Sequence, residues 1–332
     1  MRNKEKICTE QARFFENLET LLSPKYVLVN KVVEVLGIGE SSAYRRIRGE
    51  TPLNFKEILT LCAHFGISLD ALSGIEERSQ MKCFYTPLDL KDENNLITYT
   101  NGLIAHLGNM KAHPGNEIIL SASDIPLFSF SMFTTMVKFR FFSWSKNVYG
   151  LSKGYTDFIN SWDIEKSLEV YNQIAAFYRK TSSTEIWSNH TIDAFIGQLK
   201  YHYIKGCFDD NRIPKQICEE LLELIETLQI WTETGIKSPG EALFKFYINN
   251  TGAENTFILL KQPEKTICLC KLFTVNSLII SDKRFCTEME SWLRNLSQQA
   301  TLITGGSAIE RYDFFNKKKK KVRDFMDSYL NG

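Results

Sequence analysis

No run of about 18 uncharged apolar residues occurs anywhere in the 332 residues, so no membrane-spanning helix is expected. An excess of one charge is missing too: 40 Lys and Arg stand against 39 Asp and Glu, a formal net charge of +1. That balance argues against a protein that coats nucleic acid without selectivity, and it leaves room for a local basic face. Histidine is scarce, and none of His64, His106, His113, His190 and His202 opens an H-E-x-x-H or H-x-K pattern. G-x-S-x-G and G-x-x-x-x-G-K are absent as well, so the chain is read as a non-enzyme with no cofactor. The eight cysteines follow no regular framework. Cys268 and Cys270 would share one face of a strand with no second pair at zinc-like spacing, and they read as buried free thiols. The opening MRNKEKICTEQARFF lacks the apolar core of a signal peptide, so a cytoplasmic location with reduced thiols is expected.

What is present is ordinary globular material, 43% hydrophobic and long enough for two or three domains. The first segment reads as consecutive short helices. Phe14, Phe15, Leu18, Leu21 and Leu22 form one apolar stripe, ending at Ser23-Pro24. Val29 to Leu36 is short, apolar and stopped by Gly37. Phe55, Ile58, Leu59, Ala63 and Phe65 form another stripe, and SLDALSG closes the run at Gly74. The expected divisions are a helical domain over 1–75, a polar linker over 76–82 and a mixed α/β domain over 83–332.

Within the last, NLITYTNGLIAHLGNM and MFTTMVKFRFFSWSK read as helices, the second with core-packing aromatics, and NEIILSA as a strand. Residues 155–235 read as helical throughout, with Pro214 near a helix start. LFKFYIN, NTFILLK, TICLCKLF and NSLIIS are strand-like, and KQPEKT is a hairpin connection. FCTEMESWLRNLSQQATLI and the end of the chain are helical, the latter with a stripe through Ile309, Tyr312, Phe315, Val322, Phe325 and Tyr329. The fold class expected is therefore multidomain: an all-α N-terminal domain, then mixed α/β with a helical insertion.

The stretch LGIGESSAYRRIRGE, Leu36 to Glu50, carries the functional signal. VVEVL supplies one short helix, Gly37 a turn that tolerates positive φ, and Ile38 an apolar plug. In a second helix starting near Gly39 or Glu40, Ala43 and Ile47 would face inward and Gly49 would end it. Ser41, Ser42, Tyr44, Arg45 and Arg48 are then left as hydrogen-bonding groups, with Glu40 at the helix start. The run, with TPLNFKEILTLCAHFGISLDAL after it, resembles the lambda-repressor/Cro, or XRE-type, family of helix-turn-helix domains. The likeness covers residues 8–75. It implies a reader of double-stranded DNA whose contacts come from Asn30, Glu40, Ser41, Ser42, Tyr44, Arg45 and Arg48.

Departures from the family pattern are visible. Val33 stands where alanine is frequent, and Ala43 where valine or isoleucine is frequent. Val29 occupies the place of a phosphate-binding polar residue, which makes Asn30 the nearest substitute, and Gly39 replaces a Ser/Thr cap. Residues 1–80 hold 11 basic and 11 acidic residues, so a helical bundle used only for protein contact, antitoxin-like or a defence-system partner, is the alternative.

One such helix reads few base pairs, so a homodimer is expected, with the larger domain assembling it or sensing an unidentified small-molecule or protein effector. The order of elements over 256–300 is loosely similar to the second half of phospholipase D-like domains, which would imply a catalytically silent version, since H-x-K is missing. Gly305-Gly306-Ser307 reads as a flexible connection with Ser307 as N-cap, with backbone N–H groups facing an anion as the other reading. Lys317 to Lys321 reads as a solvated helix face.

Overall fold

The computed structural model describes residues 11–12, 14–16, 18, 25–65, 81, 83–85, 88, 95, 98–99, 102, 113–161, 165–237, 240–250, 255–263, 265–273 and 276–331. The chain divides into two compact units, Met1–Gln80 and Met81–Gly332. The finishing turn SLDALSG, the residues 76–80 of the expected linker and most of NLITYTNGLIAHLGNM lie outside the described residues.

In the first unit the described regular structure is helical. After helical residues at 11–12, 14–16 and 18 come α1 (Lys25–Leu36), α2 (Glu40–Ile47) and α3 (Phe55–Phe65). The helix α1 starts four residues before Val29, the first residue of its apolar run. Phe14, Phe15, Leu18, Leu28, Val29, Val32, Ala43, Leu61 and Cys62 form one buried cluster, against which Val33, Ile38 and Ile47 pack partly exposed. Gly37 links α1 to α2 at φ +64°, a conformation glycine adopts without a Cβ penalty.

The second unit is mixed α/β, built on one eight-stranded sheet. Its strands are β1 (Cys83–Tyr85), β2 (Glu117–Ala122), β3 (Ser182–Ser188), β4 (Phe244–Asn249), β5 (Phe257–Lys261), β6 (Thr266–Phe273), β7 (Asn276–Ile280) and β8 (Thr301–Leu302). They lie in the order β1-β7-β6-β5-β2-β3-β4-β8. β2, β3 and β4 run parallel, and the remaining pairings are antiparallel. Helices α4 (Leu127–Phe130), α5 (Thr134–Tyr149), α6 (Tyr155–Asn160) and α7 (Glu165–Lys180) connect β2 to β3. α8 (Thr191–Ile204) and α9 (Arg212–Thr234) connect β3 to β4, and α10 (Lys283–Gln299) and α11 (Ala308–Tyr329) follow β7 and β8.

The period-2 pattern sorts side chains between two cores. Ile118, Leu120, Phe244, Phe246, Ile258 and Leu260 face a large cluster shared with α5, α7, α9 and α11. Ile119, Ile186, Leu259, Cys268, Cys270 and Ile280 face a smaller one with Cys286 and Leu293 of α10. Cys268 and Cys270 are buried free thiols with sulfurs 3.7 Å apart. Helix α5 buries ten consecutive-to-adjacent positions including Met136, Phe139, Arg140, Phe142 and Trp144, so it is enclosed on all sides.

Several expectations are corrected. Residues 155–235 are not helical throughout: SSTEIWS is β3, a central strand, and the two strand-bearing parts are one sheet. Helix α10 stops at Gln299, and Thr301-Leu302 pair with β4. On α11 the inward face is Arg311, Phe314, Phe315, Lys318, Val322 and Phe325, while Ile309 and Tyr312 are exposed.

Candidate nucleic-acid interface

Helix α2 is held at both ends by backbone geometry. Gly39 is extended at its start, with no side-chain cap, and its carbonyl accepts from the N–H groups of Ser42 and Ala43 at 2.9 and 3.0 Å. At the other end Gly49 takes φ +74°, and the N–H groups of Gly49 and Glu50 return to the carbonyls of Arg46 and Arg45 at 3.0 and 2.8 Å. This double return is the Schellman arrangement, which satisfies carbonyls the helix leaves open.

Ala43 is fully buried and Ile47 half-buried, which fixes the rotation of α2. Ser41, Tyr44, Arg45 and Arg48 are exposed on the opposite side. Ser42 sits on the flank, half-buried, with its carbonyl accepting from the Arg46 guanidinium. Glu40 is exposed in the first turn, where the helix dipole favours a carboxylate. Asn30 is exposed on α1.

Four residues outside the sequence-derived set, Gln11, Arg46, Asn54 and Glu57, lock this arrangement. Arg46 donates to Glu57 at 2.7 Å from one nitrogen and 3.2 Å from another. Glu57 also accepts from the Asn54 N–H at 3.0 Å, while Asn54 accepts from the Glu57 N–H at 2.9 Å, a capping box at the start of α3. Burial would raise the Glu57 carboxyl, but the Arg46 and Asn54 bonds hold it below the ordinary range. Gln11 donates to the carbonyls of Arg46 and Thr51 at 2.6 and 2.9 Å and accepts from the Leu53 N–H at 2.9 Å, tying the segment after α2 to the first helical residues. The pattern Asn54-x-x-Glu57 was readable in sequence; the Gln11 contacts span 35 to 42 residues and left no local signal.

Glu50 lies beside the exposed arginines, 3.5 Å from Arg48 and 3.9 Å from Arg45. The Arg48 guanidinium also lies 5.8 Å from the Tyr44 ring centroid. Such exposed pairs are worth little and are screened by salt, so both arginines can exchange Glu50 for phosphate or a base edge.

In the second unit, the two basic or glycine-rich motifs serve the fold. Ser307 takes φ +48° and its side chain caps nothing. Arg311 donates to the carbonyls of Ile303, Gly305 and Gly306 at 2.8 to 3.0 Å, so this loop turns acceptors inward. Within the lysine run, Lys318 is buried against the Asn189 carbonyl and Asp193, Lys321 also reaches Asp193, and Lys319 reaches Glu226 and Gln229. A solvated face therefore describes Lys317, Lys320 and Lys321, which are exposed, but not Lys318 or Lys319.

Among the described residues no cluster of His, Cys, Asp and Glu could hold a metal ion, and no helix is long and apolar enough to cross a membrane. No family model, no curated protein and no solved structure matches the chain.

Proposed function

We propose that the chain is a sequence-specific DNA-binding transcriptional regulator of the XRE-type helix-turn-helix class, acting in the cytoplasm as a homodimer. In this reading α2 enters the major groove and the second unit, a catalytically silent fold, senses an effector or assembles the dimer. One observation carries it: Ser41, Tyr44, Arg45 and Arg48 stand together on the exposed side of a short helix whose rotation is fixed by buried Ala43. Arginine in such a position reads guanine through two parallel hydrogen bonds, while serine and tyrosine hydroxyls serve bases or phosphates. Glu40 has the chemistry to accept from cytosine, and Asn30 to contact the backbone.

The test is selection of duplexes from a random pool by the full chain, followed by titration of the selected site at fixed salt. Arg45→Ala is expected to weaken the selected site by about 1–3 kcal/mol while leaving scrambled DNA little changed. Failure to enrich any sequence sinks the proposal. The second reading, a protein-interaction bundle, is favoured by Glu50 pairing with both outward arginines. It requires that no duplex be enriched and that Arg45→Ala weaken a protein complex instead.

A further inference from the structure

The strands β2, β3 and β4 succeed one another toward one edge of the sheet, and the chain then returns to place β5 on the other side of β2. β5 is antiparallel to β2, so the segment leaving β2 meets the segment entering β5 at one end of the sheet. Five elements send polar groups to this point. Ser123 and Asp124 follow β2, Thr256 precedes β5, Lys271 is on β6, Arg140 on α5 and Gln198 on α8.

The groups are joined in a definite order. Arg140 donates to Asp124 at 2.7 Å and to Gln198 at 3.0 Å. Lys271 donates to the second Asp124 oxygen at 3.2 Å. The Ser123 N–H donates to the Thr256 hydroxyl at 3.2 Å, and the two hydroxyls are also 3.2 Å apart. Arg140 is 1% exposed, packed between the rings of Phe195 and Phe130 at 4.7 and 5.5 Å. Its Nε has no hydrogen-bond partner among the described residues.

Among the described residues the charges do not cancel: two cations share one carboxylate. Arg140 is immobilised and already neutralises Asp124. Lys271 is the surplus cation, and its side chain remains 28% exposed. Burial pulls its ammonium below the ordinary lysine range; Asp124 opposes that and Arg140 reinforces it. A second negative charge entering from solvent would complete the balance.

We propose that this cluster binds the anionic group of a small molecule, a carboxylate or a phosphate ester, through Lys271 and the Ser123 and Thr256 hydroxyls. Arg140 keeps Asp124 neutralised while Lys271 turns to the ligand. The proposal is independent of DNA binding.

The probes are inorganic phosphate and acetate, titrated against the full chain at constant ionic strength maintained with chloride, with thermal unfolding as the readout. A ligand that binds the native state alone raises the unfolding temperature with saturation. Wild type is expected to respond saturably to one probe, phosphate marking a phosphate-ester site and acetate a carboxylate site. Lys271→Gln should weaken binding roughly ten- to a hundredfold, the size of a lost charge-assisted hydrogen bond, and Lys271→Arg should retain it. Ser123→Ala leaves every charge in place and should weaken binding several-fold, which keeps the test decisive if Lys271→Gln does not fold. No saturable rise with either probe, or unchanged affinity in Ser123→Ala, overturns the proposal.

Discussion

Glu57 shows how much of the first unit rests on single side chains. It caps α3 through the Asn54 N–H and holds Arg46 of α2. Glu57→Ala should cost about 1–2 kcal/mol, a capping box plus a charge-assisted bond, measured as faster hydrogen exchange of the α2 amides in the full chain. Its carboxyl is held below 4.5, so its contribution is present above that pH and fades as the pH falls further. His202 in the second unit acts in a higher window. It is buried among Phe139, Phe142 and Tyr201, with Nε2 3.0 Å from the Ser143 hydroxyl and Nδ1 without a partner among the described residues. Burial, reinforced by Lys146, holds it down to about 4 from 6.5. The unfolded chain therefore takes up the proton first, and stability contributed by the neutral ring is lost as the pH falls from 6.5 toward 4. Thermal unfolding across this range should show the second unit weakening before the first, and His202→Gln should flatten the decline. An unchanged pH profile in that variant would remove His202 as its cause.

Among elements, α2 and β3 mark the two extremes of what could be read from residue order. Helix α2 was legible because its signals are local: Gly37 and Gly49 take the positive φ that their positions suggested, and Ala43 is buried. Gly49→Ala should therefore cost about 1–2 kcal/mol, the penalty for an L-residue in the left-handed region, and should fray the end that carries Arg45 and Arg48. Equal unfolding temperature and equal DNA affinity in the variant would show that this end is not constrained. Strand β3 was illegible for a physical reason. A central parallel strand ordinarily reads as a continuous apolar run, but SSTEIWS buries Glu185 fully. The carboxylate accepts from the Tyr178 hydroxyl at 2.5 Å, the Ser183 hydroxyl at 2.9 Å and the Trp187 ring N–H at 3.0 Å. Partners on α7 and on the strand itself make a polar sequence fit an interior place. The same principle hid the inward face of α11, a helix the sequence does show, where Arg311 and Lys318 are buried because loop carbonyls and Asp193 receive them. Hydropathy sorts such residues outward; only the tertiary partners bring them in.

At the scale of the whole molecule, the aromatic run of α5 gives no argument for a subunit contact, because Phe139, Phe141, Phe142 and Trp144 are buried within their own unit. The case for the proposed dimer rests on the proposed reading of DNA. The exposed side of α2 spans Ser41 to Arg48, enough for a few base pairs, and the residues that supply its positive charge are offset by Glu40 and Glu50. A regulator must outcompete a large excess of non-specific sites, and each matched base pair contributes only about 1–3 kcal/mol. Two copies on half-sites spaced by about one helical turn supply the missing selectivity, provided something outside α2 joins them. The second unit, with most of the chain's core, is the part with surface to spare for that joining. The full chain should thus bind its selected site with two copies per duplex. Inserting about half a helical turn between half-sites should abolish tight binding, and inserting a full turn should restore much of it. A fragment spanning residues 1–80 should bind each half-site weakly and without this phase dependence. Equal affinity of the fragment and the full chain for the intact site, or binding indifferent to half-site phase, would show that one α2 helix suffices and that the second unit has no part in recognition.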